Sequence, residues 1–156
     1  MATESALDKW LMFLHVLAAM AWIGGLLVVS VLGARVRRNG NRDALAGFIN
    51  SLRVVGPAVF APAMLVVLGA GIWLVAHSDE WNFGQAWIVL ALTLLGAAVV
   101  VGAAFQSRSA IQAQRAVEAG DLDEAARQLG RWTWGMWLIL LLLVLATWDM
   151  AFKPGT

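Results

Sequence analysis

The fold is decided by residues 10–34, which read WLMFLHVLAAMAWIGGLLVVSVLGA and carry no charged side chain. A helix of about 20 apolar residues is long enough to cross the roughly 30 Å of hydrocarbon in a bilayer. Three further uncharged runs follow, over residues 54–78, 81–107 and 132–148. Because a backbone in lipid must satisfy its own hydrogen bonds, unbroken apolar runs of this length indicate helices. We predict four transmembrane helices, at about residues 10–34, 55–77, 86–106 and 132–152.

The composition agrees with this prediction and excludes several classes of protein. Of the 156 residues, 61% are hydrophobic and only 13% are charged, whereas a soluble domain has about 25% charged residues. A chain of this length cannot bury so much apolar surface on its own. The net charge of +1 gives no field that would attract nucleic acid. With no Cys in the chain, thiolate metal sites and iron–sulfur clusters are excluded as well.

The basic residues lie mostly on one side of the predicted helices. Of the 11 Lys and Arg residues, Lys9 and Lys153 lie on one side and the rest on the other. These others are Arg35, Arg37, Arg38, Arg42, Arg53, Arg108, Arg115, Arg127 and Arg131. Cytoplasmic loops carry the excess of Lys and Arg in membrane proteins. We therefore expect a multi-pass protein of the bacterial cytoplasmic (inner) membrane, with both termini extracytoplasmic.

Each basic segment also has the spacing of an amphipathic helix. After a turn at Asn39-Gly40, apolar residues recur at helical intervals at Leu45, Phe48, Ile49 and Leu52. In the second segment, Asp121 and Glu124 have the spacing of a capping box. We therefore expect a single all-α membrane domain over residues 1–156, a four-transmembrane-helix bundle with short amphipathic cytoplasmic loop helices.

Small residues recur along the predicted membrane helices. Ala21 and Gly25, four residues apart, have a spacing that lets helices approach closely. Such faces serve packing within one bundle or between copies in a homo-oligomer, and the sequence leaves both open.

His15 is the candidate ligand, because it is the one ionisable residue well inside a predicted span. Intramembrane ionisable residues are costly and usually face the bundle interior. Trp22 lies seven residues further on, on the same helical face, with the small Ala18 and Ala19 between them. Small residues beside a His leave room for a flat ligand, so we expect His15 to hold haem or a metal, with Trp22 against it. The alternative is a neutral His hydrogen-bonded to a neighbouring helix.

Two further polar residues fall on the same side as His15. Asp149 lies in the last turn of the predicted fourth helix, where it is placed either to accept the second N–H of a ligating His or to reach water. His77 ends the second helix and is either a second ligand or a surface residue. Met12 and Met150 also lie on this side, and with His15 they are a candidate Cu(I) ligand set. No hydrolase triad, phosphate-binding loop or zinc-protease motif is present.

The stretch from Leu14 to Gly25, with a His followed seven residues later by Trp-Ile-Gly-Gly, resembles a group of small bacterial integral membrane proteins. The group contains copper-resistance CopD-like proteins, HemJ-type protoporphyrinogen oxidases and uncharacterised predicted integral membrane proteins. Residues 71–74, Trp81 and the tail at 149–154 look most like the uncharacterised branch. The resemblance implies a four-helix bundle. It also implies, from the HemJ-type relatives, haem b held by the helix-one His, which corresponds here to His15.

Three functions follow from these observations. The first is a membrane protein that binds haem b or another metal ligand through His15, with Trp22, His77 and Asp149 nearby, and acts in electron transfer or haem-linked oxidation with a redox partner. The second is a membrane scaffold or subunit without a cofactor, in which His15 is structural. The third, implied by the CopD-like relatives, is copper transport or homeostasis.

Overall fold

A computed structural model describes residues 6–154, and within that range the chain folds into helices and turns without a strand. Three helices form the first half: α1 (Ala6–Asn39), α2 (Arg42–Val55) and α3 (Ala61–Ala76). Three more form the second half: α4 (Ala86–Val100), α5 (Ser107–Glu118) and α6 (Leu122–Phe152). The predicted ends of the domain, at residues 1–5 and 155–156, lie outside the described residues.

Four continuous helices in the described chain are long and apolar enough to cross a membrane, at Ala6–Asn39, Arg42–Ala76, Ala86–Glu118 and Leu122–Phe152. The predicted all-α, four-membrane-helix fold is therefore confirmed. The amphipathic segments form α2 and α5, and each continues into a membrane helix without a break. A π-helical turn joins α2 to α3 at Gly56–Phe60, and a second one joins α4 to α5 at Val101–Gln106.

The two turns at the basic end of the bundle form as the sequence predicts. Gly40 has a φ of +64°, a conformation that glycine adopts at little cost, and Asn41 then caps α2. At the second turn, the Asp121 carboxylate accepts a hydrogen bond of 2.9 Å from the backbone N–H of Glu124. The Glu124 side chain does not complete the capping box, because it accepts hydrogen bonds from Arg127 and Gln128 instead.

The membrane helices pack side by side in an order that differs from their order in the chain. The first helix, α1, packs against both α3 and α6, and α6 packs against α4 and α5. Within residues 6–154, α3 and α4 do not pack against each other. A cleft therefore runs between α3 and α4, with α1 and α6 as its floor, whereas α2 and α5 contact each other. Two cavities lined by described residues open along it.

Glycines in α1 allow the second membrane helix to lie close. A Cβ atom on Gly25 would be 3.0 Å from Cε1 of Phe60, and one on Gly33 would be 3.2 Å from Cε1 of Phe48. Here the small residues serve packing within the chain. By contrast, a Cβ on Gly24 would meet no atom within 4 Å. Association of copies through such open faces stays a prediction.

We expect Trp22→Leu to lower the thermal stability of the protein far more than Trp10→Leu. Trp22 is 6% exposed and packs in the core, whereas Trp10 is 66% exposed. Loss of a packed indole costs about 2 kcal/mol or more, and a surface change about 0.5 kcal/mol or less. Thermal unfolding of the two variants in the same detergent measures the difference. Equal, small shifts in Tm would show that the Trp22 indole contributes little to packing.

Candidate functional site

The candidate site is built around the ring of His15, which bridges the first and second membrane helices. Its Nδ1 lies 2.9 Å from the backbone carbonyl oxygen of Val67 in α3. Because a carbonyl oxygen only accepts hydrogen bonds, Nδ1 is the protonated nitrogen and donates to it. Nε2 then keeps its lone pair, and no described residue forms a hydrogen bond with it. A ring nitrogen fixed in this way is the usual form of a ligating His.

Gly71 makes this position of the His15 ring sterically accessible. A Cβ atom on Gly71 would lie 3.2 Å from Cε1 of His15 and 3.4 Å from Nδ1. These distances are too short for a larger residue unless the ring moves. Gly71 lies one helical turn beyond Val67. The residue that accepts the hydrogen bond from the ring and the residue that makes room for it therefore share one face of α3.

His15 lines a cavity of about 690 Å³, hereafter the His15 cavity, between α1, α3, α4 and α6. A volume of this size is in the range that holds a cofactor or a drug-sized molecule. Most of its wall is apolar: Val16, Ala19, Ile23, Val67, Leu68, Ile72, Ile88, Ala91, Leu92 and Leu95. The His15 cavity therefore combines one imidazole nitrogen with a large apolar volume.

Two polar groups also line the His15 cavity, both near the end opposite the basic loops. The Lys153 ammonium lies 4.6 Å from the ring centroid of Trp81 and 5.4 Å from that of Trp87. The indole Nε1 of Trp87 is buried and forms no hydrogen bond with a described residue. The Lys153 ammonium thus places a positive charge at this end of the cavity, whereas the Trp87 N–H is enclosed by protein atoms.

The structure does not bring Trp22 and His77 to this cavity. Trp22 lies on the same face of α1 as His15 but about 10 Å further along the helix, and it lines a different cavity. His77 ends α3, where its exposed ring stacks on Trp73 with centroids 4.0 Å apart and its Nδ1 donates to the Trp73 carbonyl. His77 therefore lies outside the cavity that His15 lines, and its role as a second ligand stays a prediction.

Asp149 lies in the last turn of α6, as the sequence predicts, but its surroundings differ from those expected. Its side chain is 0% exposed, so it does not reach water, and neither carboxylate oxygen has a hydrogen-bond partner among the described residues. The His15 N–H that it was expected to accept goes to Val67 instead. Asp149 continues the buried stripe of Leu143 and Ala146 into the bundle. Its neighbours Thr147, Met150 and Ala151 line the His15 cavity, but Asp149 does not.

Three methionines line the His15 cavity. Met12 and Met150 both line the His15 cavity, as expected from their depth, and Met20 lines it too. Within the described residues no group of three or more His, Cys, Asp or Glu side chains is arranged to hold a metal ion. The cavity lining thus includes one imidazole and three thioether side chains, of which Met20 is 66% exposed.

Sequence reasoning missed Val67, Gly71, Met20, Trp87 and Lys153 as parts of this site. The carbonyl of Val67 leaves no trace in a sequence, since every residue has one. Gly71 and Lys153 did carry a signal, because both fall in the segments on which the family resemblance rests. Trp and Met are common in membrane helices. Only the packing of the helices distinguishes Trp87 and Met20 from the Trp and Met residues that do not line the cavity.

The fold and the cavity place the protein in the class of polytopic membrane proteins that have four long helices and an intramembrane cavity lined by one His. The chain belongs to the family described as Predicted integral membrane protein (DUF2269), whose sequence profile matches residues 9–154. This confirms the uncharacterised branch of the predicted resemblance, and it establishes an integral membrane protein. No curated protein and no solved structure matches the chain.

Proposed function

We propose that the His15 cavity binds haem b, with Nε2 of His15 as an axial ligand to the iron. The observation that carries this proposal is the hydrogen bond from Nδ1 to the Val67 carbonyl, which leaves Nε2 as the unprotonated nitrogen beside a cavity of about 690 Å³. The resemblance of residues 14–25 to HemJ-type proteins supports the same assignment. One His suffices for haem, whereas zinc sites take three or four protein ligands.

The remaining residues of the cavity fit the other parts of this cofactor. The apolar wall suits the porphyrin face, and the positive charge of Lys153 lies at the end of the cavity where the carboxylates would be favoured. When bound, haem supplies one-electron chemistry. The chain's own contribution is to hold the imidazole proton on Nδ1, to fix the ring between Val67 and Gly71, and to keep water from the apolar wall. We propose electron transfer or haem-linked oxidation, with a redox partner, as the use of such a site.

Copper is the second candidate, and the positions of the methionines favour it specifically. Met12, Met20 and Met150 line the same cavity as His15, and thioethers with an imidazole are ligands that Cu(I) prefers. The resemblance to CopD-like proteins points the same way. In this case the chain would act in copper transport or homeostasis. A scaffold without cofactor, in which the His15–Val67 hydrogen bond only ties α1 to α3, is the third candidate.

A visible spectrum and elemental analysis of one preparation separate the three candidates. The protein is expressed with a haem precursor and copper in the medium and purified in detergent. Haem binding predicts a Soret band with iron at one per chain and little copper. Copper at one per chain without a Soret band would favour the second candidate, and neither metal would favour the scaffold.

For the orientation in the membrane, we propose that the basic end faces the cytoplasm of a bacterial cell and that the His15 cavity lies in the extracytoplasmic half. Reporter fusions after Arg42 and Gly120, at the two basic turns, should then read cytoplasmic. A fusion after Glu80, in the turn between α3 and α4, should read extracytoplasmic. Cytoplasmic accessibility of Glu80 would reverse the orientation and place His15 in the inner half.

A further inference from the structure

The second cavity of the protein lies at the basic end of the cleft and has a volume of about 610 Å³. We call it the Gln106 cavity. Its walls come from the second and third membrane helices, which contact each other through α2 and α5 but not through α3 and α4. Gly56 and Phe60 line one side, and Gly102 and Gln106 line the other. Neither His15 nor Lys153 lines it, so it is separate from the candidate haem site.

Gln106 is a polar side chain without partners in this apolar place. It is 5% exposed, and neither its amide nitrogen nor its amide oxygen forms a hydrogen bond with a described residue. Buried amides in proteins are almost always hydrogen-bonded, because leaving one unpaired costs free energy. The amide is packed against Gly135 of α6, where a Cβ atom would lie 3.0 Å from Cδ of Gln106.

The backbone on both sides of the Gln106 cavity departs from regular α-helix. The two π-helical turns, Gly56–Phe60 and Val101–Gln106, face it from opposite walls. π-Helical turns inside α-helices occur often at functional sites. Each turn also contains a glycine with open space beside it. A Cβ atom on Gly56 would meet no atom within 4 Å, and a Cβ atom on Gly102 would meet only Cδ1 of Ile139, at 3.9 Å.

The lining of the Gln106 cavity changes from apolar to polar along its length, as a bilayer does from its centre to its surface. One end, at Trp22 and Met64, is apolar, and Trp22 lies about 20 Å from Arg35 along α1. The other end holds Gln106 and the guanidinium of Arg53. Arg53 forms only a loose, exposed ion pair with Glu118, at 3.8 Å, so its planar fork of donors is largely available.

We infer that the Gln106 cavity binds one acyl chain whose anionic headgroup lies at Arg53. The chain fills the apolar part of the cleft between the second and third membrane helices, and the headgroup lies at the level of the basic loops. Charge complementarity supports this occupant, because basic pockets between membrane helices bind acidic lipid headgroups. The same chemistry is offered by a free fatty acid and by an anionic phospholipid.

The direct test measures binding of radiolabelled palmitate to the purified protein in phosphatidylcholine nanodiscs. We expect saturable binding of one palmitate per chain. Gly102→Leu, which places a side chain in the cavity, should weaken the affinity at least about tenfold. Gly96→Leu is the matched control, because Gly96 is on the same membrane helix, exposed, outside both cavities and free of neighbours within 4 Å. It should bind as the wild type does.

The same assay tests whether Arg53 recognises the headgroup. Arg53→Gln should weaken palmitate binding and leave binding of hexadecanol, a neutral chain of equal length, unchanged. Ala103→Leu, a second cavity-filling change, replaces Gly102→Leu if that variant does not fold. Retention of phosphatidylglycerol over phosphatidylcholine in native mass spectra identifies a phospholipid as the source, and its absence identifies the fatty acid.

Two results would overturn the inference. One is a wild type without saturable palmitate binding, as expected if a second copy or another helix fills the cleft. The other is equal palmitate affinity in wild type and in the folded cavity-filling variants. Both are independent of the haem proposal, because His15→Ala should bind palmitate as the wild type does.

Discussion

His15→Ala is expected to lose all bound haem while the bundle stays folded. The change removes the only imidazole that lines the His15 cavity in the described chain, and with it the one nitrogen available to an iron. The helices remain packed through apolar contacts, since the His15–Val67 hydrogen bond is a single link between α1 and α3. The measurement is haem per chain in the purified variant, with circular dichroism to confirm the helical content.

His77→Ala is the matched control for this prediction. It removes the other His of the chain, which is exposed, stacks on Trp73 and lies outside the cavity. Its haem content should equal that of the wild type. Full haem occupancy in His15→Ala would refute the site, and loss of haem in both variants would point to an effect on expression or folding.

Gly71→Leu is expected to have the second largest effect on haem content. Its Cβ would be 3.2 Å from Cε1 of the His15 ring, and the rest of the side chain would extend into the same space. The ring must then rotate away, which breaks its hydrogen bond to Val67 and misdirects Nε2. Loss of a group that orients a ligating His weakens binding by about 10–100-fold, and the steric change adds to that loss. A titration of the purified variant with haem measures the affinity.

The control lies two residues away on the same helix. Gly69 is exposed, and a Cβ placed on it would meet no atom within 4 Å. Gly69→Leu therefore makes the same chemical change on the lipid side of α3 and should leave the affinity for haem unchanged. If Gly71→Leu binds haem as tightly as Gly69→Leu does, the orientation of the His15 ring is not what holds the cofactor.

The four membrane helices were predictable from the sequence because each uncharged run is long enough to cross the bilayer. The caps at Asn41 and Asp121 and the turn at Gly40 follow local rules, in which a side-chain oxygen or a positive φ ends or starts a helix. The uncharged runs could not show that two of the membrane helices continue beyond the ends of the runs. Here α2 and α5 extend the spans through π-helical turns, which have no periodic signature of their own.

The candidate site was predictable only in its central residue. A His in an otherwise uncharged span is a strong signal, because few functions justify its cost there. The partners of His15 depend on which helix packs against α1 and at what height. This is why the Val67 carbonyl, and not Asp149, accepts the hydrogen bond from its Nδ1. Distance along the helix also separated Trp22 from His15, although both lie on one face, since seven residues rise about 10 Å.

The most direct test of the central claim is a titration of haem b into cofactor-free wild-type protein in nanodiscs, followed at the Soret band. The account predicts saturation at one haem per chain. With ¹⁵N-labelled histidine, it also predicts a magnetic coupling between the ferric iron and one axial imidazole nitrogen, lost in His15→Ala. Binding without saturation, or a coupling that persists in His15→Ala, would contradict the assignment of the His15 cavity as a haem site.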